Sequence, residues 1–139
     1  MKYVTAFLLS LGITASVCHA QTDRVYTEAE QMGTLAGLAY ACGSKQKLKD
    51  FELIAAHILA DKSATSEEAE KKLQQFNKMK YRYMKKQKDS PRMSCKEVLE
   101  HFNNMPIFQS TVYADGTVKM FDGTILKPQY PIIKVKVRQ

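Results

Sequence analysis

The chain predicts an α+β fold: a four-helix, disulfide-stapled N-terminal unit followed by a small antiparallel β-meander. Three observations carry this expectation. Apolar residues recur at a spacing of about 3.6 before Pro106 and at about 2 after it. Capping signatures stand at Thr27-Glu-Ala-Glu30, Thr65-Ser-Glu-Glu68 and Ser94-Cys-Lys-Glu97, each ahead of an amphipathic run. Of the three cysteines, Cys18 lies in an N-terminal leader, which leaves Cys42 and Cys95 to pair.

The leader comes first in the chain. Lys2 supplies a positive start, and Val4 to Ile13 form an apolar core too short to span a bilayer. Cys18-His-Ala20 then places small residues where a signal peptidase reads, so cleavage is expected after Ala20. Lipidation of Cys18 would need a leucine-like residue three positions before it, and Ala15 and Val17 fit that pattern poorly. Residues 1–20 are therefore read as a cleaved signal peptide and 21–139 as a single mature domain, with a helical unit over 27–105 and a strand unit over 107–139. Export to the periplasm or the exterior follows, and thiols there oxidise, so Cys42 and Cys95 are expected to form a disulfide.

In the first helix, Met32, Leu35, Ala36, Ala39 and Cys42 recur at helical spacing, and Gly43 supplies the stop. Gly33, Gly37 and Ala41 make a second stripe, small enough for another helix to approach closely. A second helix is expected to begin at Ser44 or Asp50 and to bury Leu48, Phe51, Ile54, Ala55, Ile58 and Leu59. His57 lies beside that stripe and is expected to be solvated or hydrogen-bonded. The longest helix is expected from about Ser66 to Lys88, with Ala69, Leu73, Phe76, Met79 and Tyr83 inward. Ser90-Pro91 ends it, because the residue before proline resists the helical region. The fourth helix is short, carries Cys95, Val98, Leu99 and Phe102, and stops before Pro106.

Tyr113-Ala-Asp-Gly-Thr-Val-Lys119 is echoed by Phe121-Asp-Gly-Thr-Ile-Leu-Lys127. The Asp-Gly pairs suit turns with positive φ, which makes Ser110–Tyr113, Thr117–Phe121 and Thr124–Lys127 short strands of a meander. A calcium loop would need further oxygen ligands at fixed spacing, and none follow. After Pro128 and Pro131, the run from Ile132 to Gln139 alternates apolar and charged residues as a half-buried strand does. It is expected to complete the chain's own sheet, with addition to a partner's sheet as the alternative.

Charge is the feature that points to a partner. The whole chain carries a net +7, and the leader removes only Lys2, leaving +6. From Lys71 to Lys96 ten basic residues face one acid, Asp89. Lysines late in a helix complement its dipole, but the excess exceeds what one helix end requires. Lys78, Lys80, Arg82, Lys85, Lys86 and Lys88 are therefore the candidate docking residues, set against the simpler account of a solvated helix face. The expected partner is an envelope protein, acidic where it touches this run. An anionic membrane surface is the alternative, and nucleic acid ranks last because no binding motif accompanies the charge.

Catalysis finds little in the sequence. Gly-x-Ser-x-Gly and His-Glu-x-x-His are both missing, and bridging both cysteines would leave no Cys–His pair. Cys42, His57, Cys95 and His101 are zinc-ligand types, but their spacings match no compact ligand motif, so no metal or other cofactor is expected. Two cysteines tying an opening helix to a late one, in a chain of this size, resemble small periplasmic proteins such as the pilotins that assist secretins. That likeness lies in size and cysteine placement, with no residue motif beyond them. The functional expectation is a non-enzymatic exported accessory or scaffold protein of a bacterial envelope assembly such as a secretion system. The alternative is a secreted effector whose basic helix binds anionic membrane or host components.

Overall fold

The computed structural model describes residues 26–127. The expected leader and the terminal run 132–139 lie outside the described residues. Four helices come first: α1 (Glu28–Ala41), α2 (Gln46–Asp61), α3 (Ser66–Asp89) and α4 (Cys95–Asn103). A 3₁₀ turn at Pro106–Gln109 leads into β1 (Thr111–Val112), β2 (Val118–Lys119) and β3 (Ile125–Leu126). The strands form one antiparallel sheet in the order β1-β2-β3. The expected α+β architecture is the observed one.

Local chemistry explains the helix starts. Thr27 and Glu30 form a reciprocal capping box, and Ser94 and Glu97 form another. At α3 the box is one-sided. Thr65 Oγ1 accepts from the Glu68 amide, while the Glu68 carboxylate accepts from the Ala64 amide and pairs with Lys72 at 2.9 Å. The lysine one turn on draws the carboxylate away from the cap and, as the main cause, holds its pKa below the usual range.

The start of α2 corrects the expectation. Gly43 takes φ +84°, its N–H donates to the Tyr40 carbonyl, and the Ser44 N–H donates to the Ala39 carbonyl. These two bonds are a Schellman motif, so Ser44 closes α1 and is not free to open α2. Lys45 stands at the N-cap without a side-chain cap, and Asp50 instead accepts from the Gln46 side-chain Nε2 within the helix.

The core gathers around α2. Phe51 and Leu59 are fully buried there, with Ile54, Ala55 and Ile58 beside them. Phe51, Phe102 and Phe108 pack as a triad with ring centroids 5.2–6.3 Å apart, joining α2 to α4 and the 3₁₀ turn. Lys47 closes its edge, lying over the Phe108 ring and donating to the Asn103 carbonyl. On the sheet, Val112, Val118 and Leu126 share one face by register, with Val118 fully buried. Leu73 and Leu99, expected inward, are half-buried.

Helix α1 lies against α3, with Ala29, Ala36 and Ala39 buried. A Cβ on Gly33 would collide with the Phe76 carbonyl, and one on Gly37 with the Lys80 carbonyl and with the Met84 nitrogen at 2.9 Å. The small-residue stripe is thus the seat of α3, as its spacing predicts.

The strands are shorter than expected because the turns consume their ends. Tyr113 donates to Thr117 and accepts from Gly116, and Met120 does the same with Thr124 and Gly123. Within these two turns only Gly116 and Gly123 take positive φ, so each Asp-Gly forms a type I turn followed by a left-handed glycine. Asp115 and Asp122 keep ordinary φ and accept from the amides of Thr117 and Thr124, which lowers both carboxyl pKa values.

Candidate partner-binding surface

Helix α3 places the basic run. Its inward stripe is Ala69, Phe76, Met79, Lys80 and Gln87, with Leu73, Tyr83 and Met84 partly buried beside it. Of the six expected docking residues, Lys78, Arg82, Lys85, Lys86 and Lys88 are exposed. Lys80 is not among them. Its Nζ pairs with the Glu52 carboxylate of α2, with side chains only 6% and 9% exposed. The physical reason is register, because Lys80 stands four residues after Phe76 and shares its side of the helix. The 3.6 periodicity marked that position as inward, whereas counting charge along the run did not. Nothing local in the sequence marked Glu52 as its partner.

The exposed cations differ in what they touch. Lys86 Nζ lies 4.9 Å from the Tyr83 ring centroid, and Lys88 Nζ lies 5.7 Å from that of Tyr40. Lys80 approaches the same Tyr40 ring, at 5.3 Å. The Tyr83 hydroxyl shares a 3.1 Å hydrogen bond with that of Tyr26, which, together with burial, raises its pKa. Elsewhere cations meet carboxylates, as Lys62 does with Glu28 and Lys72 with Glu68. Among the described residues no salt bridge reaches Lys71, Lys78, Arg82 or Lys85. All four are exposed.

At the end of α3, Gln87 is buried and donates to the Met93 carbonyl, with Cys42 Sγ 3.8 Å from its amide nitrogen. Cys42 and Cys95 form the expected disulfide, joining the C-cap of α1 to the first residue of α4 across 53 positions. Both sulfurs of the zinc-type residue set are therefore committed to each other. Among the described residues no three His, Cys, Asp or Glu side chains are grouped to hold a metal.

His57 corrects the other expectation. It is 3% exposed, and its Nδ1 has no hydrogen-bond partner. The buried arc of α2 is wider than the apolar stripe, because α1, α3, the 3₁₀ turn and β3 all pack on this helix. Burial alone pushes the imidazole pKa below its ordinary value.

Among the described residues, no helix is long and apolar enough to cross a membrane. No known protein family, curated protein or solved structure matches the chain.

Proposed function

We propose that this chain is a non-enzymatic, exported accessory protein of a bacterial envelope assembly such as a secretion system, and that it binds a protein partner through the outer face of α3. The observation that supports this most is the row of exposed cations on one face of α3, Lys71, Lys78, Arg82 and Lys85, none of which a salt bridge reaches among the described residues. The Cys42–Cys95 bridge supports export, because such bonds persist in oxidising compartments. A lone helix face rich in unpaired charge is a steering and docking element more than a stabilising one.

The test is capture from native envelopes. The tagged wild-type protein should retain a defined partner that is released as salt rises, since exposed charges are screened over about 8 Å at physiological ionic strength. Reversal of Lys78, Arg82 and Lys85 to Glu should abolish retention while helical circular dichroism persists. Retention unchanged by either treatment would return the run to a solvated face. Fractionation decides against the effector alternative: an envelope subunit remains with the cell, whereas an effector accumulates in the medium. Deleting 132–139 tests the terminal run separately. If the melting midpoint holds and only assembly is lost, that run is the docking strand.

A further inference from the structure

We infer that the partner presents an acidic α-helix, packed antiparallel along α3 on the ridge formed by Lys71, Lys78, Arg82 and Lys85. This rests on the docking role proposed above and names the chemistry that fills it. The four residues are separated by seven, four and three positions, which places them on one side of the helix over about 21 Å. They are what remains when the occupied cations are set aside: Lys80 is held by Glu52, while Lys86 and Lys88 lie over tyrosine rings of the chain itself.

Three features select an acidic helix over a lipid surface or a nucleic acid. The ridge is a single convex helix, which a plane touches along one line but a second helix packs beside over its full length. The positions between Lys71 and Lys78 on the outer face are Gln74 and Gln75, both exposed, so no apolar side chain stands there to enter a bilayer. Tyr81, half-exposed and neighbouring both Lys78 and Lys85 on the helix surface, is with Arg82 the kind of residue enriched in protein interfaces. The direction follows from charge polarity. Glu67 and Glu70 are exposed at the start of α3, and no acid follows until Asp89. Carboxylates gather naturally at a helix N-terminus, and the antiparallel arrangement sets that end of the partner against the cationic C-terminal half of α3.

The probe is a designed helical peptide with glutamates spaced to meet the four cations, compared with an isomer carrying the same glutamates scattered around the helix. Full-length oxidised protein should bind the patterned peptide about tenfold more tightly than the isomer, and K78E/R82E/K85E should weaken it by about tenfold or more. The charge-matched control K49E/K119E/K127E, on other exposed positions, should change it by less than about threefold. Should the reversed variant misfold, K78Q/R82Q/K85Q gives the same comparison with smaller loss. Equal binding of the isomer overturns the helix geometry, and equal loss in the control overturns the ridge. Tighter binding to phosphatidylglycerol vesicles or duplex DNA than to the peptide overturns the partner class. If native capture yields no partner while the patterned peptide still binds selectively, the accessory role fails and the ridge stands. A partner retained by K78E/R82E/K85E keeps the role and discards the ridge.

Discussion

His57 and Lys80 are both titratable side chains that the fold buries, and they are accommodated differently. Lys80 is paired with the Glu52 carboxylate of α2. Removing one member of a buried pair leaves the other uncompensated, so Lys80→Met or Glu52→Gln should each destabilise the protein by about 3–5 kcal/mol. Replacing both together with Met and Leu should recover most of that loss. Denaturant melts of the two singles and the double give the coupling, and additive losses would show that the pair is not one unit. His57 keeps its place by staying neutral. Because burial lowers its folded pKa below the ordinary imidazole value of about 6.5, the unfolded chain binds the proton more readily. Its contribution is therefore intact above the unfolded pKa and is lost as pH falls from there through the folded value. The melting midpoint should drop on acidification below about pH 6.5, and His57→Leu should flatten that part of the profile. An unaltered slope in the variant would assign the acid sensitivity to other groups.

At the scale of elements, α1 and α3 meet through glycine, and that contact is the sharpest test of the packing. Gly37→Ala must move backbone, since the added methyl would meet the Lys80 carbonyl and the Met84 nitrogen. Overpacking of this kind destabilises by about 1–3 kcal/mol even though alanine favours a helix. A stability gain on calorimetry would mean that α3 does not sit on this stripe. That stripe was legible in the sequence because Gly33, Gly37 and Ala41 repeat every four residues. The caps at Thr27 and Ser94 were legible for the same reason, namely that they are local hydrogen bonds encoded within four positions. What escaped the sequence needed information from elsewhere in the chain. Ser44 fits a helix start by type, yet its amide is taken by Ala39. Lys80 and His57 belong to charged or polar classes, yet the helices around them fix their burial. The strands shortened because residues with strand propensity, such as Tyr113 and Met120, close the turns instead. The proposed docking run was legible as a charge count, but its subset emerges only when that count is laid on the helical period, which sets Lys80 with Phe76 on the inner stripe.

For the whole molecule, the disulfide is the constraint that links these pieces. It joins the end of α1 to the start of α4, so the loop it closes contains all of α2 and α3. In the chain-entropy account, closing a loop of this size removes about 4 kcal/mol of freedom from the unfolded chain. The folded contacts change little, because Val98 and Phe102 still anchor α4 in the core. Reduction should therefore lower the melting midpoint by roughly 15–20 °C while leaving the helical spectrum at room temperature largely intact. A Cys42→Ser/Cys95→Ser variant should match the reduced wild type. A shift of only a degree or two would show that native strain offsets the entropy, and that the bridge is not a main support of the fold. The size of this shift also bears on where the protein works. Small domains hold about 5–15 kcal/mol in total, so losing about 4 leaves a chain that is marginal at growth temperature. Expressed without export, it should be recovered with both thiols open to alkylation and with much of it degraded or aggregated. Exported, it should be recovered with both thiols blocked. Equal yield and equal melting behaviour from both compartments would separate the fold from its bridge, and with it remove the main structural support for an exported role.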